Sequence, residues 1–151
     1  MALQKSKKVG KPPVSGSQRG VCLFDEVKIV VAAAFVVADN LISAIRIPSG
    51  HKLVGGRVIS TDLDSHGTPT VALSVGILNE AGDDLVANQD LLTASDVAQA
   101  GGVAEFNGAG GFGLEAEEFE DQIVAIKFDT GAATGADGTI TVQIVTAAVA
   151  S

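Results

Sequence analysis

Residues Leu41–Leu78 read LISAIRIPSGHKLVGGRVISTDLDSHGTPTVALSVGIL. Three apolar alternations separated by turn residues set the fold class. In Leu41–Ile47, an extended chain places Leu41, Ser43, Ile45 and Ile47 on one face and Ile42, Ala44 and Arg46 on the other. Pro48-Ser49-Gly50 supplies a turn. Lys52–Leu63 is the next strand, and Gly55-Gly56 inside it predicts a bulge or a close backbone approach. Asp64-Ser65-His66-Gly67 forms a loop. Thr70–Leu78 then aligns Val71, Leu73, Val75 and Ile77 on one face.

Outward from this block the pattern stays β-rich. Val21–Val37 (VCLFDEVKIVVAAAFVV) is read as two short strands or one bent strand, its continuous apolar run suggesting burial on both faces. Asn79–Asp84 is a turn in which Gly82 suits a left-handed position. In Leu85–Ala100, the spacing of Leu85, Val86, Leu91, Leu92 and Val97 fits a short helical stretch that Asp83 or Asp84 would cap. Gly101–Gly113 is glycine-rich and reads as a mobile loop, and Leu114–Asp121 (LEAEEFED) as a solvated acidic segment. Val124, Ile126 and Phe128, then Ile140, Val142 and Ile144, mark two strands expected to form a hairpin around Thr130–Gly138. Six to eight strands without alternating helices predict an all-β fold, a sandwich or small barrel.

The chain has 151 residues, enough for one domain with an arm. It is 46% hydrophobic and 19% charged, with mean hydropathy +0.36, too apolar for a disordered chain. Six Phe and no Tyr or Trp leave few platforms for stacking bases. Residues 1–20 carry Lys5, Lys7, Lys8, Lys11 and Arg19 and no acid, whereas the remainder holds the other 5 bases and all 18 acids, a balance of +5 against −13. The expected organisation is a basic N-terminal arm over residues 1–20 and a sandwich domain over 21–151. The arm is poor in large apolar side chains and is expected to be flexible when free; it is either a solubilising tail or a segment that orders on an acidic partner. An acidic body does not attract nucleic acid over its whole face.

The longest apolar run, Ile29–Ala38, is ten residues, about half of a membrane span. Pro12 and Pro13 follow the N-terminal lysines where a signal peptide would place its apolar region. One cysteine, Cys22, forms no internal disulfide.

The chemistry-bearing motifs are few. Asp129-Thr130-Gly131 after an apolar strand resembles the aspartic-protease triplet, but only 20 residues follow it, and it is better explained as the mouth of a loop. Asp62-x-Asp64-x-His66 could converge on a cation, or serve ordinary turn hydrogen bonding. His51 is placed in a turn with an exposed imidazole. Cys22 has no histidine near it in sequence to act as a base. No Gly-x-x-x-x-Gly-Lys occurs. No cofactor, metal or catalytic residue is assigned.

Ile47-Pro48-Ser49-Gly50, the Val71–Gly76 strand, the Asn79–Asp84 turn and the expected hairpin Gln122–Val145 together resemble the small β-rich capsid decoration, or cement, proteins of tailed bacteriophages. The resemblance spans residues from about 41 to 148. It implies a jelly-roll-like sandwich and a non-enzymatic virion protein. Such a protein sits on the outer capsid surface, is assembled in the host cytoplasm, and clamps neighbouring major capsid subunits. Its partners would be the major capsid protein and neighbouring copies of itself, as a dimer or trimer, with no membrane and no nucleic acid. Lys5, Lys7, Lys8, Lys11 and Arg19 would then be the partner-binding residues. A neck or tail connector, or a fibre-attachment protein, is the alternative within the same particle. A small hydrolase or metal-binding module is the alternative outside it.

Overall fold

A computed structural model describes residues 2–5, 22–107 and 122–148. Among these residues nine strands form two sheets: β1 (Leu3–Lys5), β2 (Cys22–Val31), β3 (Leu41–Ile47), β4 (His51–Ser60), β5 (Ala72–Leu78), β6 (Leu85–Ser95), β7 (Gly102–Glu105), β8 (Gln122–Thr130) and β9 (Gly138–Ala148). The five-stranded sheet runs β1-β3-β8-β5-β6 and the four-stranded sheet β2-β9-β4-β7. Among the described strands, only β5 and β6 are sequence neighbours that share a sheet. Strands β2–β9 therefore wind as a jelly roll, the all-β sandwich that the sequence patterning and the resemblance anticipate. The pairings among β2–β9 are antiparallel, and β1 lies parallel to β3.

The core fills the space between the sheets. Val27, Ile29 and Val31 of β2, Val58 of β4, and Ile140, Val142 and Ile144 of β9 meet Ile42 and Ile45 of β3, Leu73 and Val75 of β5, and Val124, Ile126 and Phe128 of β8. Phe128 is fully buried, with Phe35 packed edge-on at 6.5 Å between ring centroids. With so few aromatics, branched aliphatics supply nearly all of this apolar area, at about 25 cal/mol per Å² removed from water.

Several sequence expectations hold. The Gly55-Gly56 pair coincides with a register shift between Leu53 and Gly55 in the β4–β9 ladder. A Cβ on Gly56 would stand 2.5 Å from the Phe106 ring and 2.6 Å from the Gln143 carbonyl, so the ring occupies the space of a side chain. Gly82 adopts φ +76° in the Asn79–Asp84 turn, where Asn79 Oδ1 accepts the N–H groups of Gly82, Asp83 and Asp84.

Others are corrected. Leu85–Ser95 is a strand, and helix is confined to Val97–Ala100, preceded by Asp96; neither Asp83 nor Asp84 caps it. The apolar spacing in β6 imitates a helix because three register shifts against β5, with Asn88 and Ala94 at positive φ, break the two-residue alternation. The two C-terminal strands are not a hairpin. β8 lies in one sheet and β9 in the other, and residues 131–137 cross between them. β2 is one strand followed by a 3-10 turn at Ala33–Phe35, and only its inner face is buried; it is β3 whose two faces are both covered. β7 forms within the segment expected to be a loop. Residues 108–113 of that loop and the acidic 114–121 lie outside the described residues. His51 opens β4 and is 3% exposed, so it is a core-edge residue and not an exposed turn imidazole. No helix among the described residues is long and apolar enough to cross a membrane.

Candidate interaction surface

The loop after β4 is organised by one carboxylate. Asp64 is 1% exposed, and its two oxygens accept backbone N–H groups from Thr70 (2.7 Å), Val71 (3.2 Å), Ala133 (2.9 Å), Thr134 (2.9 Å) and His66 (3.3 Å). Burial by itself would raise its pKa. The N–H groups of Thr134, Thr70, Ala133 and His66 outweigh that effect and hold the carboxyl far below the usual carboxylate range. Strand-like bonds flank it, from Ser65 N–H to Thr134 O and from Ala136 N–H to Leu63 O. Asp64 thus latches the β8–β9 crossing to the β4–β5 loop.

Hydrogen bonds occupy the Asp62-x-Asp64-x-His66 side chains within the fold. Asp62 Oδ1 accepts the Asp64 N–H at 2.9 Å, and His66 Nδ1 accepts the Thr68 N–H at 3.0 Å. Asp62 and His66 serve local turn hydrogen bonding, and Asp64 bonds both its own turn and the distant crossing. Among the described residues no group of three or more His, Cys, Asp or Glu side chains could hold a metal ion. Asp129 likewise has a structural partner: it accepts a short hydrogen bond from Ser74 Oγ, and Ser74 Oγ in turn accepts the N–H of Ala94 at the β6 irregularity. Cys22 is a free, exposed thiol at the start of β2.

The first residues of the expected arm are placed. Leu3, Gln4 and Lys5 pair with Leu41, Ile42 and Ser43 along β3. Asn40, buried at the head of β3, accepts the Ala2 N–H through Oδ1 at 3.0 Å and donates from Nδ2 to the Phe35 carbonyl at 2.9 Å. Gln4 Nε2 donates to the Val30 carbonyl of β2 at 3.0 Å. Residues 3–5 are therefore an added strand of the five-stranded sheet rather than free chain. Lys7, Lys8, Lys11 and Arg19 lie outside the described residues.

The outer face of the four-stranded sheet carries a polar row across all its strands. Glu26, Gln143, Arg57 and Glu105 are register partners in sequence. Gln143 Nε2 donates to Glu26 Oε2 at 2.6 Å, Arg57 Nε donates to Gln143 Oε1, and Arg57 Nη1 stands 3.9 Å from Glu105 Oε1. Exposed apolar side chains flank the row: Phe24 (64% exposed), Val30 (73%), Val54 and Val103. A shallow groove lies along it between Phe24, Val145 and Glu105. Arranged this way, the face offers a hydrogen-bonding stripe with apolar shoulders, which is suited to adhesion.

The whole chain is similar in fold to a chain in the solved capsid of Ralstonia phage GP4, with a TM-score of 0.84 and 25% identity over 99% of this chain and 99% of that one. This likeness supports a virion structural protein. A chain of the cyanophage Pam1 capsid asymmetric unit matches with a TM-score of 0.65 and 26% identity, covering 91% of both chains. A chain of the acid-stable capsid of Helicobacter pylori bacteriophage KHP30 shares the fold alone, with a TM-score of 0.54 and 11% identity over 88% of this chain and 92% of that one. No family model matches the sequence, and no curated protein does. The GP4 likeness extends over the full sandwich, and the residues that hold its loops serve the fold: Asp64, Asn40, Asn79 and Ser74 each bond backbone groups. Sequence reasoning missed the outer polar row, because its members come from four strands and only register brings them together.

Proposed function

We propose that this protein is a capsid decoration, or cement, protein that binds the outer surface of a phage shell and clamps neighbouring major capsid subunits. The observation that supports this most is the end-to-end likeness to a chain of a phage capsid, with 99% of each chain covered. A cement protein catalyses nothing. It binds the assembled shell and not the separated subunits, so it stabilises the shell by mass action. Repetition over the particle multiplies modest individual contacts.

In this reading the leader supplies the charge complement. Lys5 ends β1, which anchors the leader to the sandwich; Lys7, Lys8, Lys11 and Arg19 then engage an acidic patch on the capsid protein or on an adjacent copy. Because β1 belongs to the sheet, the test keeps residues 2–5 and replaces Lys7, Lys8, Lys11 and Arg19 with alanine. The expected result is an unchanged melting temperature and roughly tenfold weaker attachment to undecorated shells at physiological salt, with a shallower salt dependence than the parent. Equal attachment and equal salt dependence would remove the leader from the account.

A further inference from the structure

Among the described residues, β2 is the long, regular open edge of the sandwich. It pairs with β9 at all ten residues without a register shift. The other edges among the described residues are the three-residue β1, the four-residue β7 and the repeatedly shifted β6. Short or bulged edges resist pairing with another chain, and a long straight one invites it.

The hydrogen-bonding phase of this edge can be read from its neighbours. Thr61 N–H donates to the Thr139 carbonyl, and Thr139 N–H donates to Thr61 Oγ1, so the Thr139 backbone faces β4. Its partner in β2 is Val30, whose N–H and C=O therefore face the open side, as do those of Lys28, Glu26 and Phe24 in alternation. The bond from Gln4 Nε2 to the Val30 carbonyl agrees, and that oxygen keeps a second lone pair. An added strand must pair these even-numbered residues with one another.

We propose that β2 pairs antiparallel with β2 of a second copy across a two-fold axis at Val27, joining the two four-stranded sheets into one. In this register Glu26 lies opposite Lys28 of the partner subunit, and Phe24 opposite Val30 of the partner subunit, each twice by symmetry. Both charges and both apolar side chains are on the exposed face. Shifting the axis to Glu26 sets two glutamates opposite each other and Phe24 opposite a lysine. Shifting it to Lys28 sets two lysines opposite each other and leaves Glu26 opposite a valine. One register alone matches opposite charges and covers the apolar pair, which is the self-complementarity that a two-fold interface requires. The polar row Glu105–Arg57–Gln143–Glu26 ends at this edge, and the incoming ammonium extends it. The acidic net charge of the two copies opposes association, but salt screens it over about 8 Å at physiological ionic strength, whereas the paired charges are in contact.

The inference deepens the self-association part of the reading above, and it is tested without shells, so its failure is separable from failure to bind a capsid. Sedimentation of the full chain over a concentration series should show a monomer–dimer equilibrium. Glu26→Lys and Lys28→Glu should each raise the dissociation constant by roughly tenfold or more, and the double swap E26K/K28E should restore dimerisation. In a Cys22→Ser background, a mixture of Glu26→Cys and Lys28→Cys chains should oxidise to the mixed disulfide in preference to either homodimer, since directly opposed hydrogen-bonded residues stand about 5.5 Å apart at Cα. A monomer at every concentration, a double swap no better than the single ones, or indiscriminate cross-linking would overturn the proposal. Circular dichroism confirms that each variant is folded.

Discussion

Replacing Asp64 with alanine is expected to lower the melting temperature by on the order of 10 °C, among the largest effects of any single side chain outside the apolar core. The carboxylate accepts five backbone N–H groups, from Thr70, Val71, Ala133, Thr134 and His66. Those donors belong to two loops about 70 residues apart in sequence. Without the side chain, donors are stranded at a buried site, and buried donors without acceptors are costly. The β8–β9 crossing also loses its tether. Asp64→Asn keeps the shape but replaces one acceptor oxygen with a donor amide, so it should fall between the parent and Asp64→Ala. The acid dependence carries the same signature. The folded-state carboxyl titrates below the unfolded-state value of about 3.9, so its contribution is complete above about pH 5 and is lost as pH falls toward the depressed folded value. Thermal melts from pH 7 to pH 3 should show the parent losing its advantage over Asp64→Asn across the acid end of that range. Parallel curves for the two proteins would show that the latch does not operate through its charge.

Gly56→Val is expected to destabilise the sandwich by about 2 kcal/mol or more. The new Cβ would meet the Phe106 ring at 2.5 Å and the Gln143 carbonyl at 2.6 Å. A ring can swing away, but a backbone carbonyl inside the β4–β9 ladder cannot. Displacing Phe106 also breaks the bond from its N–H to the Gly56 carbonyl, which continues the β4–β7 pairing. Urea denaturation of the purified variant measures the loss. Gly55→Ala is the matched control, because nothing lies within 4 Å of a Cβ added there, and it should cost much less. Equal losses at 55 and 56 would mean that backbone conformation, not the Phe106 contact, sets the requirement for glycine.

These two sites show what the sequence discloses and what it conceals. A glycine pair inside a strand pattern signals a bulge or close approach, and Gly55-Gly56 is both. Regular two-residue alternation finds β3, β5, β8 and β9 near their observed limits. Where bulges disturb the alternation, as in β6, the same apolar residues imitate a helix. Periodicity also says nothing about which strand is a neighbour. Two consecutive strands with a glycine-rich connection suggest a hairpin, yet the jelly roll sends β8 and β9 to opposite sheets. Asp64 was legible as a turn residue, but its distant donors were not. The Thr130–Gly138 loop carries no marker beyond small residues that leave their N–H groups accessible. Lys5 fell within a stretch whose composition reads as a free tail, but Ala2 and Gln4 find partners in Asn40 and Val30, contacts that only the tertiary fold creates.

Whether this sandwich is a repeated component of an assembled shell can be read from purified particles. A density map of the intact virion, read with the copy number from a quantitative gel, decides it. The two-sheet density of this 15.2 kDa chain should recur across the outer capsid surface, in hundreds of copies bridging neighbouring subunits. A handful of copies at the neck or tail, or no density for the chain anywhere on the particle, would contradict it.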